Sequence, residues 1–128
     1  HGEGTLMKAL VVDDSRAMRM MLSNMLKDIG FEVAQAQHGK EGLAHLTGHP
    51  DTSFALVDWN MPEMTGIEMV EAVRKDAALN NVKLIMVTTE SETSQVQRAL
   101  GAGANEYVMK PFTKDVIVEK LRLLNVGI

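Results

Sequence analysis

Apolar residues fall in five short runs, each cut off by polar residues and each succeeded by a stretch with helical spacing. The first run, Met7 to Val12, becomes β-branched toward its end and stops at Asp13-Asp14. Its length and density read as a strand buried on both faces. Asp14 or Ser15 can N-cap the next segment, where Met18, Met21, Leu22, Met25, Leu26 and Ile29 recur at three- and four-residue intervals. That recurrence predicts an amphipathic helix closed by Gly30, its methionines serving as core filler rather than recognition surface.

The remaining runs repeat the theme. Phe31 to Ala36 predicts a second strand with Phe31, Val33 and Ala36 inward, and Gly39 to Leu46 a short helix ended by Thr47-Gly48-His49-Pro50. Phe54-Ala55-Leu56-Val57 ends abruptly in Asp58, and Pro62 and Gly66 mark the loop beyond it. A helix from Thr65 or Gly66 to about Lys75 comes next, with Ile67, Met69, Val70 and Val73 inward. Val82 to Thr88 predicts the fourth strand and Ser91 to Ala102 its helix, with Val96, Ala99 and Leu100 on one side. Asn105 to Met109 is the fifth strand, finishing at Lys110-Pro111. Thr113 caps a last helix that carries Val116, Ile117, Leu121 and Leu124.

Five β-α units in succession predict an α/β fold: a doubly wound, five-stranded parallel sheet of order 2-1-3-4-5 with helices on both faces. The 128 residues suit one domain over residues 7–128. His1-Gly2-Glu3-Gly4-Thr5-Leu6 is unlike the rest, and residues 1–6 read as a tag or disordered leader. A hydrophobic fraction of 45% with 23% charged residues is that of an ordinary soluble globular protein. The net charge of −4 argues against nucleic-acid binding. No run is long enough to cross a bilayer, and no secretory signal is visible. The absence of Cys excludes thiol chemistry and fits a cytoplasmic location.

The expected strand order sets strands one and three side by side at the switch point, with Asp13, Asp14 and Asp58 at their carboxyl ends. Asp58 alone could be no more than a turn residue. With Thr88 and Lys110, however, four strand ends deliver polar groups to one edge. Three neighbouring carboxylates raise one another's pKa unless a cation intervenes. An oxygen-only set at an exposed edge suits Mg²⁺, and Lys110 and Thr88 suit a phosphoryl group. His45 and His49 have a spacing that can bind zinc on a helix. Gly48 and Pro50 break that helix, and no third ligand lies near in sequence, so no metal role is assigned there.

These residues carry a resemblance. The chain resembles the receiver domains of two-component signalling, most of all the single-domain chemotaxis response regulators. The matches are Asp13-Asp14, Asp58 in Asp-x-x-Met-Pro-x-Met-x-Gly, Val87-Thr88, and Tyr107-Val108-Met109-Lys110-Pro111-Phe112, spanning Met7 to about Leu124. The resemblance implies that Asp58 accepts a phosphoryl group from a sensor histidine kinase. It implies that Asp14, Asp58 and the Asn60 carbonyl bind Mg²⁺ directly, with Asp13 acting through water. Lys110 and Thr88 would contact phosphoryl oxygens, and Lys110-Pro111 would be a cis peptide. Thr88 and Tyr107 would form the switch, re-shaping a helix-four, strand-five, helix-five face that engages a downstream protein. Val96, Leu100, Tyr107, Met109 and Lys120 are candidates for that face. A monomer is implied, with dimerisation through the same face on phosphorylation. Asn60 and Glu90 would tune the lifetime of the phosphorylated state. Thr89 departs from the family, where a small residue is usual, and would narrow access to Asp58.

Two other classes compete. A phosphatase or phosphotransferase with an Asp nucleophile typically presents a second carboxylate two residues on, where this chain has Asn60, which cannot protonate a leaving group. A flavodoxin-like nucleotide or flavin binder needs a phosphate-cradling loop after strand one, and that loop is acidic with no Gly run. A receiver that acts without phosphorylation is weakly opposed by the presence of every required residue.

Overall fold

Apolar runs capped by polar tips assemble into one parallel sheet of order β2-β1-β3-β4-β5, the order expected from the sequence. A computed structural model describes residues 6–89 and 95–126. The strands are β1 (Lys8–Val12), β2 (Glu32–Ala36), β3 (Phe54–Asp58), β4 (Lys83–Thr88) and β5 (Glu106–Met109). The helices are α1 (Arg16–Ile29), α2 (Gly39–Gly48), α3 (Gly66–Arg74), α4 (Val96–Ala102) and α5 (Lys114–Leu123). The start of the fourth helix expected at Ser91, and Glu90, lie outside the described residues.

Alternation along each strand sends side chains to opposite faces and divides the core into two layers. Leu10, Val12, Ala55, Val57, Leu84 and Met86 form one layer with Leu46, Met69, Val70, Val73 and Ala99 of α2, α3 and α4. Ala9, Val11, Phe54, Leu56, Ile85 and Val87 form the other with Leu22, Leu26, Ile117 and Leu121 of α1 and α5. Every residue of β3 is buried, as a central strand covered on both faces requires.

Local chemistry sets the element ends. Ser15 caps α1 through its side chain, and Gly30 closes it. Thr65 and Glu68 form a reciprocal capping box on α3, and Thr113 caps α5. Several expectations are corrected. Met7 lies outside β1 and is exposed. Met21 is exposed while Ser23 is buried, so the inward stripe of α1 is turned from the one expected. α2 continues through Gly48, with His49 as its C-cap. Ala77–Leu79 forms an unexpected 3-10 turn.

Asn105 lies just before β5, and its side chain is put to use. Its Oδ1 accepts from the Leu84 N–H and from Arg74, both at 2.8 Å. Arg74 also donates to the carbonyls of Gly103 (2.9 Å), Leu79 (3.2 Å) and Val82 (2.8 Å). One guanidinium thus ties α3, the 3-10 turn and the entries to β4 and β5 together at the edge opposite the acidic tips.

Candidate functional site

β1 and β3 are neighbours in register, Val12 beside Val57, so the residues after them share one edge. Asp13 continues the line of β1, its N–H bonded to the Ala36 carbonyl at 3.1 Å. Its Oδ1 accepts the Ser15 N–H at 2.8 Å. Arg19 holds its carbonyl at 2.7 Å, a support no spacing rule in the sequence announces. Asp58 ends β3 and is 7% exposed, while Asp14 is exposed. One carboxylate oxygen from each of Asp13, Asp14 and Asp58 lies within 4.8 Å of the others.

The neighbouring strands complete the edge. The Lys110 N–H donates to the Thr88 carbonyl at 2.7 Å, extending the β4–β5 pairing. Its ammonium stands 3.3 Å from Asp58 Oδ1. Lys110-Pro111 is cis. Thr88 is buried, and its hydroxyl donates to the Thr89 carbonyl at 3.2 Å. Gly66 begins α3 where the backbones come close. A Cβ there would stand 2.6 Å from the Asp58 carbonyl oxygen, so only glycine lets α3 pack beneath the acidic tip.

The electrostatics follow from this packing. Burial pushes the Asp58 carboxyl up to about 6, the Asp13 charge adds to the shift, and Lys110 opposes it. Burial also raises Asp13, against the Ser15 N–H and Lys110. Asp13 Oδ2 is buried without a hydrogen-bond partner among the described residues. Two buried carboxyls held above their ordinary range and an orphaned oxygen mark a site short of positive charge. A hard, oxygen-seeking divalent cation fits it.

Of the residues expected at the site, Asp13, Asp14, Asp58 and Lys110 meet directly, and Thr88 ends the adjoining strand. Asn60 lies two residues past Asp58 and lines a cleft of about 390 Å³ with Trp59, Glu68, Glu71 and Arg98. Tyr107 is apart from the cluster, half-buried against the layer that contains Met86. Among the candidates for an output face, Leu100 and Met109 are exposed, whereas Val96 is buried and offers little surface, because that position of α4 turns inward.

His45 and His49 are closer than expected. Because α2 runs on through Gly48, their rings stack at 4.2 Å, and His49 Nδ1 lies 3.0 Å from the His45 carbonyl. No third metal-ligating side chain joins them among the described residues.

A family model for the response regulator receiver domain matches residues 9–122. The chain is 45% identical to the chemotaxis protein CheY1 of Helicobacter pylori over 119 residues, covering 92% of this chain and 96% of that protein. It is 45% identical to the chemotaxis protein CheY of Pseudomonas aeruginosa over 117 residues, covering 90% and 93%. The structure of the chemotaxis response regulator CheY4 of Vibrio cholerae superposes with a TM-score of 0.86 at 36% identity, covering 94% of this chain and 99% of that one.

Proposed function

The chain belongs to the response regulator receiver domain family and so works in two-component phosphorelay signalling; we propose that within it Asp58 is the phosphoacceptor. The carrying observation is a buried strand-end carboxylate that meets a lysine at 3.3 Å and two further carboxylates within 4.8 Å. A receiver of this kind has a kinase upstream and a target downstream. It is a signalling domain rather than a turnover enzyme.

In the proposed reaction an Asp58 oxygen attacks the phosphorus of a phosphohistidine on the kinase. The O–P bond forms as the P–N bond breaks, and the imidazole leaves with the electron pair. A carboxyl raised to about 6 is still mostly ionised at neutral pH, so the nucleophile is available. Lys110 neutralises charge on the transferred group, and the Thr88 hydroxyl turns to one of its oxygens. Asp13, Asp14, Asp58 and the Asn60 carbonyl would hold Mg²⁺, which supplies charge neutralisation on the phosphoryl oxygens when bound. Hydrolysis of the acyl phosphate, assisted by the same groups, resets the chain. Thr89 narrows the approach to Asp58 and slows both steps, and Thr89→Ala with unchanged rates would exclude this.

The phosphoryl group carries about −1.5 to −2 of charge and consumes that of the ionised Asp58 carboxylate, so the edge gains at most about −1 and presents three strong acceptor oxygens further out. Thr88 shifts toward it, Tyr107 moves into the space released, and the α4-β5-α5 face changes shape for its target. Leu100 and Met109 are the exposed candidates of that face, and Lys120 is half-buried. The names of the relatives point to chemotaxis as the pathway. We place the chain in the cytoplasm as a monomer that can dimerise through the same face when phosphorylated, with no role in binding nucleic acid or membrane.

Intact mass after incubation with acetyl phosphate and Mg²⁺ tests the assignment. A phosphate-sized gain that requires Mg²⁺ and disappears in Asp58→Asn is expected. A gain that persists in Asp58→Asn would move the acceptor elsewhere.

A further inference from the structure

We infer that Glu106 and Lys120 form a latch on Tyr107 that holds its ring in place until the chain is phosphorylated; the inference rests on the reading of Tyr107 as a switch residue. β5 is an outer strand, so one side of its backbone has no neighbouring strand to bond. The Tyr107 N–H instead donates to Glu106 Oε1 at 3.0 Å. The same oxygen takes the Lys120 ammonium, reaching over from α5, at 3.2 Å. That ammonium stands 5.1 Å from the centroid of the Tyr107 ring, within cation–π range.

The three contacts form a chain of command. The backbone N–H orients Glu106, Glu106 orients Lys120, and Lys120 attracts the ring. Only 21% of the Lys120 side chain and 22% of the Glu106 side chain are exposed, so solvent and salt weaken the arrangement less than they would a surface pair. A ring that leaves its position forfeits the cation above it, while the Glu106–Lys120 pair survives the departure. The latch therefore acts on Tyr107 alone and favours the resting form.

Linkage gives the consequence. Whatever disfavours the active form in the resting chain weakens the phosphorylation equilibrium by the same factor. With the active form as the one that reacts, its smaller population slows the rate by that factor too. A partly desolvated cation–π contact corresponds to roughly three- to tenfold in that equilibrium.

Tyr107 is the one tyrosine of the chain, so its ring signals in an NMR spectrum are unambiguous. Lys120→Met removes the cation and keeps the stem. Glu106→Gln keeps an acceptor for the Tyr107 N–H and releases the lysine. In the unphosphorylated protein both variants are expected to move the ring signals toward those of wild type saturated with acetyl phosphate and Mg²⁺. Both should also phosphorylate roughly three- to tenfold faster with acetyl phosphate. The double variant moves no further than either single one, and Lys120→Arg, which restores a cation, returns both readouts to wild type. Two shifts that add in the double variant overturn the latch. A wild-type ring that moves on phosphorylation while the variants stay put overturns the latch alone. A wild-type ring unmoved by phosphorylation overturns the switch reading, and the latch with it.

Discussion

Replacing Asp58 by Asn should make the protein more stable at neutral pH, although it removes the group around which the edge is built. Burial and the Asp13 charge raise Asp58 from 3.8 to about 6. A carboxyl that holds its proton more tightly when folded contributes stability fully present below its unfolded value. That stability is lost as the pH rises through the folded value. A shift of roughly two units corresponds to about 3 kcal/mol lost between about pH 4 and about pH 6. Asparagine cannot ionise and escapes the loss. Against this gain, Lys110 forfeits its partner at 3.3 Å, and with a quarter of the lysine side chain exposed (26%) that contact is worth under about 1 kcal/mol. The net gain is about 2 kcal/mol at neutral pH. Urea unfolding monitored by Trp59 fluorescence, from about pH 4 to about pH 8 without divalent cations, measures it. The difference between variant and wild type should open as pH rises toward 6 and then level off. Added Mg²⁺ should narrow it, because a cation at the cluster favours the ionised carboxylate. Equal stabilities at neutral pH, or a difference that closes as pH rises, would refute the account of why Asp58 is raised.

Particular contacts lead to three further outcomes. Gly66→Ala puts a Cβ 2.6 Å from the Asp58 carbonyl; it should cost about 2 kcal/mol in urea unfolding and slow phosphorylation by acetyl phosphate without altering any site side chain. Ser23 is 1% exposed in the α1 layer, its hydroxyl without a hydrogen-bond partner among the described residues, so Ser23→Ala should stabilise by about 1 kcal/mol in the same assay. Arg74→Met strips donors from three carbonyls and from Asn105 and should lower stability by about 3 kcal/mol, seen as a fall in the urea midpoint.

The strands and their polar tips were legible because both depend on short-range features, and the β-α alternation then restricts the strand order that brings the tips together. Buried strands on both sides of a switch point read as dense apolar runs, and each ended in a polar residue that needed no knowledge of its neighbours. α1 was less legible. Its three- and four-residue intervals fit Met21 as well as Ser23, and the rotation of the helix is decided by what α5 and the sheet leave room for. A serine in a core layer breaks the polarity rule on which the reading relied. Glycine ordinarily reads as a helix stop, yet Gly48 remains helical and His49 caps α2. Arg19 and Arg74 were invisible for a different reason. Arg19 holds the carbonyl of Asp13 and Arg74 those of Leu79, Val82 and Gly103, and no pattern of side-chain types marks where a carbonyl will need a donor.

Arg74 also limits how the sequence can change. Gly103 sits at φ +123°, and a Cβ there would fall 2.4 Å from Arg74 Cγ. A side chain at 103 therefore meets both Arg74 and a backbone conformation that disfavours it, and a shorter residue at 74 relieves only the first. A shorter residue at 74 takes a donor from four acceptors, whatever stands at 103, although Asn105 Oδ1 keeps the Leu84 N–H and the Leu79 carbonyl keeps the Val82 N–H. The two positions therefore bear on one corner: a change at either weakens the same junction of α3, β4 and β5, so a lineage that alters one of them starts from a less stable protein.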